Sequence, residues 1–314
     1  MPLNECYFYS IVTTRDKSRC GYVAIVGRPN VGKSTLLNAL VGEKISIVSP
    51  KAHTTRHRIL GVLNRGSDQA VFVDTPGSQR DRKNALHRLM ARTISQALAD
   101  ADITLMVVEA SKFTRQDRQL AELLRDRLDK TILVLNKIDS VGAKTKLLPI
   151  LKTVGVEFSF AAFVPTSARN GENLRELLGE ILDRLPDGPA LFPQDMLTDQ
   201  NLQFRISEII REKLFAAVHQ EVPYGLTVEV EHIGKKEKDQ TLVHALIWIQ
   251  SRSHKPIVIG KSGRVLKAVG RAARLELKEL IGERVHLELW VKVRENWADS
   301  EYGLKNLGYD LGVR

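Results

Sequence analysis

Gly27-Arg28-Pro29-Asn30-Val31-Gly32-Lys33-Ser34 matches GxxxxGK[ST], the spacing of a loop that holds a chain of phosphates. Its glycines let the backbone wrap closely, so N–H groups converge on phosphate oxygens. A helix opening at the end of the loop adds the partial positive charge of its N-terminus. Lys33 is expected to reach the β- and γ-phosphates, and the Ser34 hydroxyl to bind Mg2+. These residues and Thr35 form the candidate phosphate cradle. Kinases and ATPases use the same loop, so it leaves the base undecided.

Asn136-Lys137-Ile138-Asp139 addresses the base. A carboxylate at Asp139 accepts both hydrogen bonds from the N1–H and N2 amine of guanine. Adenine offers no such pair and would leave a buried acceptor unpaired. Lys137 can lay its stem along the base plane. Ser167 and Ala168, in Thr166-Ser167-Ala168, are expected to present backbone N–H groups to the guanine O6.

Asp74-Thr75-Pro76-Gly77, with Ser78 after it, resembles the loop whose acid anchors Mg2+ through water. The Gly77 N–H is expected to contact the γ-phosphate. Loss of that phosphate removes the contact, so the loop can switch. Upstream, Ser49-Pro50-Lys51-Ala52-His53-Thr54-Thr55-Arg56 is polar and follows the first helix. Thr55, next to Arg56, is preferred to Thr54 for completing the metal shell. The candidate metal ligands are therefore Ser34, Thr55 and Asp74. Lys33, Thr55, Asp74 and Gly77 are the candidate catalytic residues.

A second loop has related chemistry. Gly260-Lys261-Ser262-Gly263 is a GxxG set before a helix, and Lys255, Lys261, Arg264, Lys267, Arg271, Arg274 and Lys278 crowd around it. From Arg264 to Lys278 the basic residues recur every three or four positions and so share a helix face. Small glycines admit a sugar–phosphate backbone, and the helix start and basic side chains hold it. This is the KH arrangement, which clamps about four nucleotides of single-stranded RNA.

Elements of two kinds must position these loops. Val23-Ala24-Ile25-Val26, Ala70-Val71-Phe72-Val73, residues 103–108, residues 131–135 and Ala161-Ala162-Phe163-Val164 are short apolar runs separated by helical patterns. Such strands are buried on both faces, as in a doubly wound, mostly parallel α/β sheet. The ligand belongs beyond the strand C-termini, where each nucleotide motif falls. Pro186-Asp187-Gly188-Pro189 and Pro193 then mark a stiff linker. Beyond it the order is helix–strand–strand–helix–helix–strand, a smaller α+β domain. The expected division is 1–19 as a loose extension, 20–187 as the nucleotide domain, 188–200 as the linker and 201–314 as the RNA-binding domain.

The 314 residues suffice for two cores without metals or disulfides. Two cysteines with no CxxC exclude a disulfide framework and a zinc site. No run is long and apolar enough to span a bilayer. The net charge of +10 suits a polyanionic partner. Residues 191–314 hold only +2 of it, so an RNA site there must rest on a local cluster.

GRPNVGKS, TTR, DTPG, NKID and TSA, in that order, resemble the translation-factor class of GTPases. With the C-terminal domain they resemble the Era family of bacterial ribosome-assembly GTPases, over nearly everything after Arg19. Residues 285–293 and Trp297-Ala298-Asp299 carry the likeness to the chain's end. The resemblance implies a type II KH domain that binds the 3′ end of small-subunit ribosomal RNA. It implies a GTP/GDP switch, acting as a monomer, that helps mature the small ribosomal subunit. It also implies peripheral contact at the inner membrane, while the two cysteines suit a reducing cytoplasm. Ras-like enzymes carry a catalytic Gln where Ser78 stands, and the Era group a hydrophobic residue, so Ser78 departs from both. Related GTPases use the Asn at position 30 to bind K+, so the resemblance adds Asn30 to the catalytic set and implies slow, K+-stimulated hydrolysis. The rival readings are a GTPase whose KH domain serves another RNA, and an RNA adaptor that does not hydrolyse GTP.

Overall fold

A computed structural model describes residues 18–51, 54–77, 84–142, 145, 147–218, 222–236, 240–305, 307 and 309. Ser78 lies outside these residues, as do Ala52, His53 and most of the 1–19 segment.

The first sheet has the order β2-β3-β1-β4-β5-β6. Strands β1 (Cys20–Val26), β3 (Asp68–Asp74), β4 (Ile103–Glu109), β5 (Thr131–Asn136) and β6 (Ala162–Thr166) run parallel. Side chains alternate along each strand, so both faces of the sheet are apolar. Val23 and Ile25 of β1 face a core shared with α1 (Lys33–Val41) and α5 (Leu174–Leu182). Val26, Met106 and Leu133 face the other side, where α3 (Arg115–Leu123) and α4 (Leu147–Glu157) pack. Helix α2 (Ala85–Asp100) covers that side near β1 and β3 through Ala97.

Strand β2 (Ile59–Arg65) was not expected. It runs antiparallel to β3 at the sheet edge, with Ile59 opposite Asp74. It follows directly on the polar 49–56 segment, and Gly61 interrupts its apolar run. That glycine serves packing: a Cβ there would lie 2.6 Å from Ile45 Cδ1 and 2.8 Å from Leu37 Cδ1.

The extension and the linker are both held at their inner ends. Arg19 forms a bridge with Asp187, and the Gly188 N–H donates to Ser18 O at 3.0 Å. The buried Gln69 side chain accepts from the Leu191 and Phe192 N–H groups and donates to Phe192 O. The Val62 N–H donates to Leu197 O at 2.9 Å. The linker thus lies along β2 and β3.

The second sheet has the order β7-β8-β9. Strand β8 (Gln240–Ile249) pairs antiparallel with β7 (Leu226–Lys236) and parallel with β9 (Arg284–Val293). The parallel pair needs a crossover, supplied by α7 (Lys255–Ile259) and α8 (Arg264–Ile281). Helix α6 (Leu202–Ala217) and α8 cover one face, burying Ile206, Ile210, Leu214, Ala273 and Leu277 against Val243, Ala245 and Ile247. A short α9 (Glu301–Lys305) follows β9 and packs with Trp297 on α2.

Candidate nucleotide and RNA sites

The phosphate cradle is the turn between β1 and α1. Gly32 caps α1 in the left-handed region at φ 98°, with no side chain on the free N–H groups. A Cβ on Gly32 would lie 2.3 Å from Asn136 Nδ2, and one on Gly27 2.4 Å from Val107 O. Both positions therefore exclude any side chain. Asn30 is left-handed at φ 65° without being glycine. Lys33 is buried and its Nζ donates to Gly27 O at 3.1 Å and Arg28 O at 3.3 Å. Burial, with the nearby Arg28 charge, lowers its pKa to about 8 against the pull of Asp74.

Opposite the cradle, Asp74 ends β3 and is fully buried. Ser34 Oγ donates to its Oδ2 at 2.7 Å and Thr55 Oγ1 at 3.3 Å, and the two hydroxyls lie 2.9 Å apart. The three candidate metal ligands, distant in sequence, are thus one oxygen cluster. Burial raises the Asp74 pKa, opposed by Lys33 and these hydroxyls. Its Oδ1 has no hydrogen-bond partner. An all-oxygen set with an unpaired buried carboxylate oxygen fits Mg2+. Asn30, Lys33, Ser34, Thr35, Thr54, Thr55 and Gly77 line one open cavity. Thr75 is tied back by its hydroxyl to Ile25 O at 2.8 Å, and a Cβ on Gly77 would strike Pro29.

The base end is joined to the phosphate end by one side chain. Asn136, buried, donates through Nδ2 to Val31 O at 2.8 Å and accepts the Ala168 N–H at 3.0 Å. Lys137 takes φ 68°, and its Nζ donates to Asn30 O at 2.5 Å and pairs with Glu109 at 2.8 Å. Ser167 Oγ donates to Asp139 Oδ1 at 2.6 Å, orienting that carboxylate. Ile138 is buried beneath.

Glu109 and Asp117 were not anticipated here. Arg28 pairs with Glu109 at 2.9 Å and with the buried Asp117 at 3.2 Å. Burial alone would raise the Glu109 pKa, but hydrogen bonds from Lys137 and Arg28 pull it to about 2. Thr114-x-x-Asp117 is a capping box at the start of α3, a readable signal for that helix though not for its contact with Arg28.

The second loop sits between α7 and α8. Gly260, Ser262 and Gly263 all take positive φ, at 73°, 54° and 75°. Gly263 caps α8 with no side-chain hydrogen bond, leaving free N–H groups at the helix start. Lys255, Lys261, Arg264, Lys267, Arg271, Arg274 and Lys278 are exposed, and none forms an ion pair among the described residues. The acid Glu276 instead points away, to Lys44 (2.6 Å) and Lys213. The basic stripe therefore stays unneutralised.

Sequence motifs also missed the seam between the domains. Thr54 O accepts from Arg211 at 2.6 Å, and Arg211 is held by Glu208 through two hydrogen bonds. Arg56 is 1% exposed and donates to Leu226 O (2.7 Å), Pro223 O (3.0 Å) and Tyr224 O (3.2 Å). Its guanidinium also lies over the Phe215 and Trp297 rings. The Val48 N–H donates to Glu212 at 2.9 Å, and Lys51 reaches Phe215 O and Val218 O. Thr55 is thus flanked by two residues fixed to the second domain.

Two family models match the chain: a 50S ribosome-binding GTPase over residues 22–137 and a KH domain over residues 221–298. GTPase Era of Glaesserella parasuis is 44% identical over 94% of this chain and 99% of its own. GTPase Era of Bordetella avium is 45% identical, covering 93% and 98%. A crystal structure of a tyrosine-to-alanine variant of Aquifex aeolicus Era bound to GDP·AlF4− is 40% identical, covering 93% of this chain and 99% of that one, with a TM-score of 0.89. Era in complex with MgGDPNP and nucleotides 1506–1542 of 16S ribosomal RNA matches to the same degree. A P-loop domain on a mostly parallel sheet, joined to a KH domain at this identity and length, places the chain in the Era family of GTPases.

Proposed function

We propose that this chain is a slow, nucleotide-dependent switch of small-subunit assembly, converting GTP to GDP and phosphate while its KH domain grips the 3′ end of small-subunit ribosomal RNA. The observation that carries the reading is the position of Thr55. One segment offers that hydroxyl to the metal cluster and both its neighbours to the KH domain. Guanine would be read by Asp139, held by Ser167, with the Lys137 stem beside the base. Ser34, Thr55 and Asp74 would hold Mg2+, whose positive charge would offset the charge on the phosphate oxygens. Lys33 adds charge at the same phosphates, and the P-loop N–H groups fix their geometry. Attack by water then depends on positioning and electrostatics rather than a protein nucleophile. Asn30, exposed at the cavity edge, would help hold K+. The GKSG loop and the α8 stripe hold the RNA backbone. The protein acts as a cytoplasmic monomer with peripheral contact at the inner membrane; no described helix is long and apolar enough to cross one.

The test is GTP turnover in KCl, with and without RNA matching the 3′ end of small-subunit ribosomal RNA. We expect stimulation by that RNA, none by a scrambled one, and slower turnover in NaCl. Normal GTP binding with no RNA effect would assign the KH domain another RNA.

A further inference from the structure

Asp74 Oδ2 receives a third hydroxyl that no nucleotide motif contains. Ser46 Oγ donates to it at 3.0 Å, from a residue only 1% exposed. Ser46 does not line the cavity that Ser34 and Thr55 line.

Ser46 is itself held. Asn38 of α1 accepts the Ile45 N–H at 3.1 Å and the Ser46 N–H at 2.9 Å through Oδ1. Its Nδ2 donates to Ser46 O at 2.7 Å. Three hydrogen bonds from one amide thus pin residues 45–46 to the helix that the P-loop opens. Immediately after this anchor the segment passes to the KH domain, through Val48, Lys51, Thr54 and Arg56. Of the three donors on Asp74, Thr55 belongs to the part of the segment expected to respond to the γ-phosphate. Ser34 belongs to the metal shell. Ser46 alone is fixed independently of both.

We propose that Ser46, bracketed by Asn38, is a positioning residue that keeps the Asp74 carboxylate oriented for Mg2+ in every nucleotide state. This rests on the metal reading given above. Outer partners of a metal-holding carboxylate typically contribute about 10- to 100-fold in metal affinity, by fixing orientation rather than by touching the ion.

The test uses the full chain loaded with GDPNP and Mn2+ as the probe, with binding followed by electron paramagnetic resonance. Ser46→Ala is expected to weaken Mn2+ binding about 10-fold. GDP affinity in EDTA and Tm should stay at wild-type values, which a merely structural role would not leave in place. Asn38→Ala keeps the hydroxyl but removes its bracket, and should weaken Mn2+ in the same direction by less. It also carries the test if Ser46→Ala fails to fold. Ser34→Ala is the control. If Ser34→Ala weakens Mn2+ binding while Ser46→Ala and Asn38→Ala do not, the Ser46 role is wrong and the metal site stands. If Ser34→Ala has no effect, both fall. A loss of metal-free GDP affinity matching the loss for Mn2+ would also overturn the positioning role.

Discussion

The molecule has two glycine loops that open helices, and they are built differently. The P-loop is walled in: side chains added at Gly27 or Gly32 would meet Val107 O or Asn136 Nδ2 within 2.4 Å. The GKSG loop is open at its far end, where a Cβ on Gly263 would find nothing nearer than Lys267 Cε at 3.8 Å. Both helices begin at a left-handed glycine with uncapped N–H groups. The difference lies in what surrounds them. Four separate loops and a buried Asn136 enclose the first, which suits a small ligand read atom by atom. The second relies on one helix and its basic stripe, which suits a polymer that continues past the protein.

The largest effect expected from this contrast is on Gly32→Ala. Left-handed strain and the clash with Asn136 should together cost more than about 3 kcal/mol, over about 100-fold in GDP affinity. Gly263→Ala should cost only about 1 kcal/mol of stability, from strain alone, and leave GDP binding intact. Calorimetric titration and thermal melts on both variants check the pair; equal losses would erase the distinction.

Asp139→Asn should move preference from guanine to xanthine nucleotides by about 100-fold, read by competition, with RNA binding unchanged. Gly263→Asp sets a negative charge where the proposed site would hold an RNA phosphate. It should weaken RNA binding by at least about 10-fold while GTP binding survives. Retained RNA affinity would move the RNA site elsewhere.

An effect as small as that of Gly263→Ala is expected behind the P-loop. Glu109→Gln should lower stability by about 1 kcal/mol at pH 7, since the carboxylate is partly exposed. The folded pKa of about 2 lies below the ordinary value of 4.5, so the contribution is present above about 4.5. It is lost as pH falls towards 2. Denaturant melts of both proteins at two pH values read the difference.

Much of the nucleotide site was readable because its chemistry demands fixed residue types at strand ends. Asp74, Asn136 and Ser167 each fall where a strand gives way to a loop, Gly32 and Lys33 open the helix after the loop from β1, and parallel register brings those ends together. The GKSG loop was readable from glycine spacing and the helix-periodic basic residues. Ser46, Glu109 and Asp117 left no trace of their place at the site, since a loop serine, an acid at a strand end or a helix-capping acid suits solvent equally well. Nothing in the sequence marks Arg56 or Arg211 as buried, since an arginine suits solvent equally well. Only the packed domains make them buried donors, because carbonyls at Leu226, Pro223 and Thr54 arrive from distant parts of the chain. Strand β2 was missed for a local reason, Gly61 within a short edge strand.

The central claim is that the segment around Thr55 ties the nucleotide site to the KH domain. Its most direct test is the affinity of the 3′-end RNA for the protein loaded with GDPNP and with GDP at the same salt concentration. We predict tighter binding with GDPNP by about 5- to 150-fold, the range of ordinary coupling between two sites. Equal affinities in the two states would contradict it, and would leave two binding sites that merely share a chain.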